Sequence, residues 1–208
     1  NNASKGGATL YYTLVDGCDI TGGQNGLDFT KHNDSTTGWF SDVIVQNNAI
    51  HDLGSPSQGY GIMGGSLERF TIRDNRFYGI PYTDILIEKD GDHDVSLQMH
   101  DNLIWKGADP AESLAMLDFK DIRYLTMTDN VFVNEGVKGG STNIGSFDIP
   151  ETIDWNIDEN QYWAPGIPTP FRVQDVDSFS FSEWQVLGYD ISGTNANPGF
   201  TDPANGDL

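Results

Sequence analysis

Hydrophobic and polar positions alternate in short bursts along this chain, and each burst ends the same way. The clearest copy is Leu97-Gln98-Met99-His100-Asp101-Asn102-Leu103-Ile104, which reads apolar-x-apolar-x-x-Asn-x-apolar. The phrase returns at Val43–Ile50, Phe70–Phe77, Leu125–Phe132 and Trp155–Tyr162, with a degenerate first copy around Val15, Cys18 and Ile20. Its marker residues, Cys18, Asn48, Asn75, Asn102, Asn130 and Asn160, are separated by 30, 27, 27, 28 and 30 residues. A period near 28 held along a whole chain is the mark of a solenoid.

Alternation with a period of two puts every second side chain on one buried face of a strand. The asparagine that follows suits a tight corner, because it tolerates left-handed backbone and its amide bonds neighbouring main chain. Corners stacked at the inter-strand spacing of about 4.8 Å bring each amide within reach of the next. The expectation is all-β: a right-handed parallel β-helix of about six rungs, with rungs over 8–178 and a C-terminal cap and tail over 179–208. Trp184 and Tyr189 are the capping candidates, since a solenoid must cover its open end. The start lacks an initiator Met and falls within or just before a rung, which suggests a processed protein or an excised fragment.

A second strand is expected in each rung, beyond a loop of variable length: Gly26–Thr30, Gly61–Met63, Ile85–Glu88, Met116–Lys120, Ser146–Ile149 and Phe171–Gln174. The longer loops, at Gly54–Gln58, Lys106–Ser113, Val133–Asn143 and Trp163–Thr169, build one rim.

The Asn-ladder rungs resemble those of the right-handed parallel β-helix superfamily of pectate lyases, alginate lyases, polygalacturonases and other secreted bacterial proteins. The tail from Asn197 to Leu208 is similar to the C-terminal segment of secreted carbohydrate-active members, in which further residues usually follow. The resemblance implies a polysaccharide partner, an extracellular or cell-surface location, and substrate lying along one exposed sheet face.

On the second strands, the residues expected to point outward include Asp28, Thr30, Glu88, Asp118, Lys120, Asp148, Arg172 and Gln174. Asp118, Lys120, Asp148 and Arg172 form the catalytic candidate, with Glu88, Asp28, Trp105 and Trp163 as substrate contacts. Lyase chemistry would use Lys120 or Arg172 as base and cation, with calcium on Asp118 and Asp148. Hydrolysis would use Asp118 and Asp148 as paired carboxyls. The competing reading is an exposed ladder of cross-strand ion pairs.

Asp90-Gly91-Asp92-His93-Asp94 alternates carboxylates in a turn, so Asp90, Asp92 and Asp94 are the candidate calcium ligands. Asp74, Asp101, Asp129 and Glu159 form an acidic column beside the ladder, where stacked like charges repel unless they splay into solvent. His32, His51, His93 and His100 share no metal-ligand spacing, and Asn2-Ala3-Ser4 and Asn33-Asp34-Ser35 match glycosylation acceptors.

Charge narrows the partners. Asp and Glu number 31 against 11 Lys and Arg, a formal net charge of −20, which disfavours nucleic acid and anionic membranes and also repels polyuronates. No apolar run is long enough to span a bilayer, and the single Cys argues against a disulfide scaffold. The rival from another class is a non-catalytic adhesin, surface-layer or filament domain with self-association through its faces.

Overall fold

The computed structural model describes residues 10–30, 39–54, 59–65, 67–90, 94–107, 115–135, 143–150 and 153–203. Three parallel stacks of strands wrap one core in about five turns. The first stack, sheet A, holds β1 (Leu10–Asp16), β4 (Phe40–Gln46), β7 (Arg69–Arg73), β10 (Ser96–His100), β13 (Tyr124–Thr128) and β16 (Asp154–Asp158). Sheet B holds β2 (Asp19–Thr21), β5 (Ala49–His51), β8 (Arg76–Tyr78), β11 (Leu103–Lys106), β14 (Val131–Asn134), β17 (Gln161–Trp163) and β20 (Thr194–Asn195). Sheet C holds β3 (Leu27–Phe29), β6 (Ile62–Gly65), β9 (Ile85–Glu88), β12 (Leu117–Lys120), β15 (Gly145–Asp148) and β18 (Phe171–Val173), closed by the antiparallel β19 (Asp177–Phe179).

The repeat phrase spans the end of a sheet A strand, a two-residue turn and the start of a sheet B strand. Two strands per rung were expected, and a third is present. Its apolar residue, Ile50, Phe77, Ile104, Phe132 or Tyr162, is buried in a strand of only three or four residues.

A continuous amide ladder runs down the A–B corner. Asn48 Nδ2 donates to Asn75 Oδ1 at 2.9 Å, Asn75 to Asn102 at 3.0 Å, Asn102 to Asn130 at 2.9 Å and Asn130 to Asn160 at 2.9 Å. In each of these four donors the backbone N–H donates to the same oxygen as the residue's own side-chain amide, as Asn102 N and Nδ2 both do to Asn130 Oδ1. All five side chains are buried, and their paired hydrogen bonds offset the desolvation that burying an amide costs. At the first rung the Cys18 N–H donates to Asn48 Oδ1, so the degenerate copy joins the ladder through its backbone.

One local expectation is corrected. The left-handed residue of each corner is the one before the ladder asparagine: Asn47, Asp74, Asp101, Asp129 and Glu159 have φ between 55° and 62°. Three members of the acidic column, Asp74, Asp101 and Asp129, are thus of the short Asx type that tolerates that backbone best, and Glu159 is the exception.

Sheet C alternates as expected, with Phe29, Ile87, Leu117, Phe119, Phe147, Phe171 and Val173 buried. The cap follows directly. Ser180 accepts from Glu183 N, the Glu183 carboxylate accepts from Ser180 N, and this capping box starts the helix α1 (Phe181–Val186). Trp184 is fully buried and stacks on Phe171 at 4.9 Å, Phe147 at 5.4 Å and Tyr189 at 4.4 Å. Burying an indole and its stacking partners is among the largest single contributions a side chain makes to closing a core.

Candidate functional site

Sheet C carries the outward-facing charged residues, and its register arranges them in two columns. Aligning Phe119 with Phe147 pairs Asp118 with Leu86 on one side and Ser146 on the other, and Ser146 in turn with Arg172. The same register pairs Lys120 with Glu88 and with Asp148. Asp118 and Lys120 therefore occupy one face of β12, with Asp148 beside Lys120 and Arg172 two strands from Asp118.

The Lys120 ammonium lies 3.3 Å from Glu88 Oε2, and both groups are substantially exposed. Asp118 is more enclosed. Burial pushes its carboxyl above the usual carboxylate range; Lys120 and Arg172 pull it down, Glu88 and Asp148 push it up, and the net direction is upward. A carboxyl biased toward the protonated form among charged neighbours is suited to giving a proton.

An aromatic pair stands beside these carboxylates that the linear pattern did not reveal. Tyr60 and Tyr82, each just ahead of a sheet C strand, meet edge-on with centroids 5.2 Å apart. Burial raises the Tyr60 hydroxyl, and Tyr82, Asp118 and Glu88 raise it further, so the phenol lies within electrostatic range of both carboxylates. Behind them Lys106 and Asp84 form a fully buried ion pair, with Lys106 Nζ 3.3 Å from Asp84 Oδ2 and donating to the Tyr82 carbonyl. Burial outweighs Lys106 and pushes the Asp84 carboxyl up to about 6. Tyr60, Tyr82 and Asp84 lie in the loops leading into sheet C and Lys106 is the last residue of β11, positions that no periodicity marks.

The other candidates scatter. Asp28 is exposed at the N-terminal end of the Asp118 column, where its Oδ1 accepts from Thr30 N at 2.9 Å and Thr30 Oγ1 at 2.5 Å. Trp105 is on sheet B at 9% exposure, which leaves little of its ring for a ligand. Trp163 ends β17 half-buried. Asp94 bridges Lys89 at 3.1 Å and Arg123 at 2.7 Å, and Arg123 above all holds its carboxyl below the usual range. Asp90 is described, Asp92 lies outside the described residues, and among those described no three His, Cys, Asp or Glu side chains gather as a metal site. Among the described residues no helix is long and apolar enough to cross a membrane. Comparison with protein-family models, curated proteins and solved structures finds no match for this chain.

Proposed function

We propose that sheet C binds and cleaves a polysaccharide outside the cell, with Asp118 as proton donor to the departing sugar oxygen. The supporting observation is the half-buried Asp118 carboxyl, shifted upward, between an aromatic pair and the Lys120–Glu88 pair. Glu88 sits one strand and two residues away, a backbone separation of about 8 Å from the strand spacing and rise. Two carboxyls in unlike environments are the requirement for glycoside hydrolysis, and Glu88 or Asp148 supplies the second. Tyr60 and Tyr82 offer ring faces and edges for a sugar.

Hydrolysis is favoured over elimination because this face pairs Asp118 with further carboxyls, Glu88 and Asp148, one strand to either side, and two carboxyls are what glycoside hydrolysis requires. In an elimination route Lys120 or Arg172 would act on the proton beside a uronate carboxylate, with calcium neutralising it. The net charge of −20 weighs against such substrates.

The non-catalytic reading draws on the exposed Lys120–Glu88 pair, which by itself looks like an ordinary ion-pair ladder. A panel of neutral and acidic polysaccharides, assayed with and without chelator for reducing ends and for unsaturated ends, separates the readings. The expected result is reducing ends without unsaturated ends, and a loss of about 100-fold or more in Asp118→Asn. Chelator-sensitive unsaturated ends would indicate elimination. No cleavage and no retention on any glycan would leave the structural role.

A further inference from the structure

The cap and the last B-to-C loop enclose a cleft of about 370 Å³ that belongs to none of the residues discussed as catalytic. Trp163, Pro165 and Pro168 line it together with Phe181, Ser182 and Asn195. None of the described residues lining it carries a charge. The cleft lies on the same rim as Tyr60 and Tyr82: Pro170 precedes β18 as Asp84 precedes β9, three strands away, or about 14 Å at the usual strand spacing.

We infer that this cleft is a subsite for an uncharged sugar ring of the same glycan chain that crosses Asp118. The inference rests on the reading of sheet C as a glycan site and adds the substrate class.

The chemistry of the lining selects the occupant. A pyranose presents C–H faces that pack on indole, phenyl and pyrrolidine rings, and a girdle of hydroxyls that serine and asparagine can bond. The volume is at the small end of ligand sites, where one ring rather than a large cofactor fits. Prolines in the wall hold it in one shape, so little ordering entropy is lost on binding. A uronate in the same place would bring a carboxylate into a lining with no cation to pair it, on a protein already strongly negative. Trp163 was expected to contact sugar from its type alone; the cleft supplies a place for the ring and excludes the acidic version of it.

The test uses the full chain labelled with ¹⁵N, following the Trp163 indole resonance assigned through Trp163→Phe. Cellohexaose, xylohexaose, mannohexaose and hexagalacturonate are titrated in turn. At least one neutral hexasaccharide should shift the Trp163 signal while hexagalacturonate does not. Trp163→Ala and the cleft-filling Ser182→Trp should each weaken that binding at least tenfold, whereas Asp118→Asn should leave the Trp163 shift intact. The subsite is overturned if hexagalacturonate gives the shift, if no hexasaccharide does, or if both cleft variants bind like wild type. Failure of the sheet C reading appears elsewhere: Asp118→Asn and Lys120→Ala would leave cleavage unchanged, whatever Trp163 does.

Discussion

Asp190 ends the asparagine ladder by accepting from Asn160 twice, its Oδ1 3.1 Å from the backbone N and its Oδ2 3.0 Å from Nδ2. It stands 30 residues after Asn160, so the repeat period survives the helix that interrupts the chain. Every ladder asparagine donates to the next, and a final member that donates would need a further acceptor. A carboxylate needs none. Tyr162 OH donates to the same Oδ2, giving the buried carboxyl three donors.

Replacement at this position should therefore separate acceptor from donor. Asp190→Ala leaves three buried donors unpaired and should cost about 3 kcal/mol or more. Asp190→Asn keeps one acceptor oxygen but turns an N–H toward Tyr162 or Asn160, at a cost of about 1–2 kcal/mol. Urea unfolding at neutral pH measures both, and equal costs would contradict the role given to the second oxygen.

Asn102, in the middle of the ladder, receives Asn75 N and Nδ2 and donates to Asn130 Oδ1 and Ile72 O. Asn102→Ala should lose about 3–5 kcal/mol, since buried partners on both sides are stranded. The exposed Gln98→Ala on the same rung should change stability by less than about 0.5 kcal/mol. Comparable losses in a chemical melt would show that the ladder is not cooperative.

Glu159 holds φ at 62°, a conformation that β-branched residues avoid and glycine adopts freely. Glu159→Gly should raise stability by about 0.5–1 kcal/mol, and Glu159→Val should lower it. Thermal unfolding of the pair gives the sign directly.

The buried Asp84 binds its proton more tightly in the folded protein than an ordinary Asp does. Its share of stability is then complete below the ordinary value of 3.8 and declines as pH rises to about 6. A shift of that size corresponds to about 3 kcal/mol. Asp84→Asn should remove this slope, so the variant gains about 2 kcal/mol relative to wild type between pH 4 and pH 7. Carboxylates pulled down by arginine, such as Asp94 and Asp42, act with opposite sign below 3.8 and cancel in the comparison. A constant difference across that range in urea melts would contradict the buried pair.

Much of the fold was legible because the ladder asparagines recur with an apolar frame that only a stacked coil repeats. Asp190 escaped notice since its type differs and the cap's own sequence breaks the rhythm before it. The sheet B strands escaped because three residues are too few to display alternation. The left-handed positions were assigned one residue late, as both members of Asp-Asn tolerate such backbone. For the site, aligning the inward Phe119 and Phe147 was enough to place Asp118, Lys120 and Asp148 on one face. The Tyr60–Tyr82 wall and the Lys106–Asp84 pair beneath it depend on loop paths, which no period encodes; nothing in Trp105-Lys106-Gly107 marks a lysine at 2% exposure.

The most direct measurement is amide hydrogen exchange with and without the neutral oligosaccharide that binds best. Protection is expected on β9, β12, β15 and β18 and on the loop over 164–170, with sheet A unchanged. Protection confined to sheet A, or none on sheet C at saturating ligand, would contradict the assignment of the glycan face.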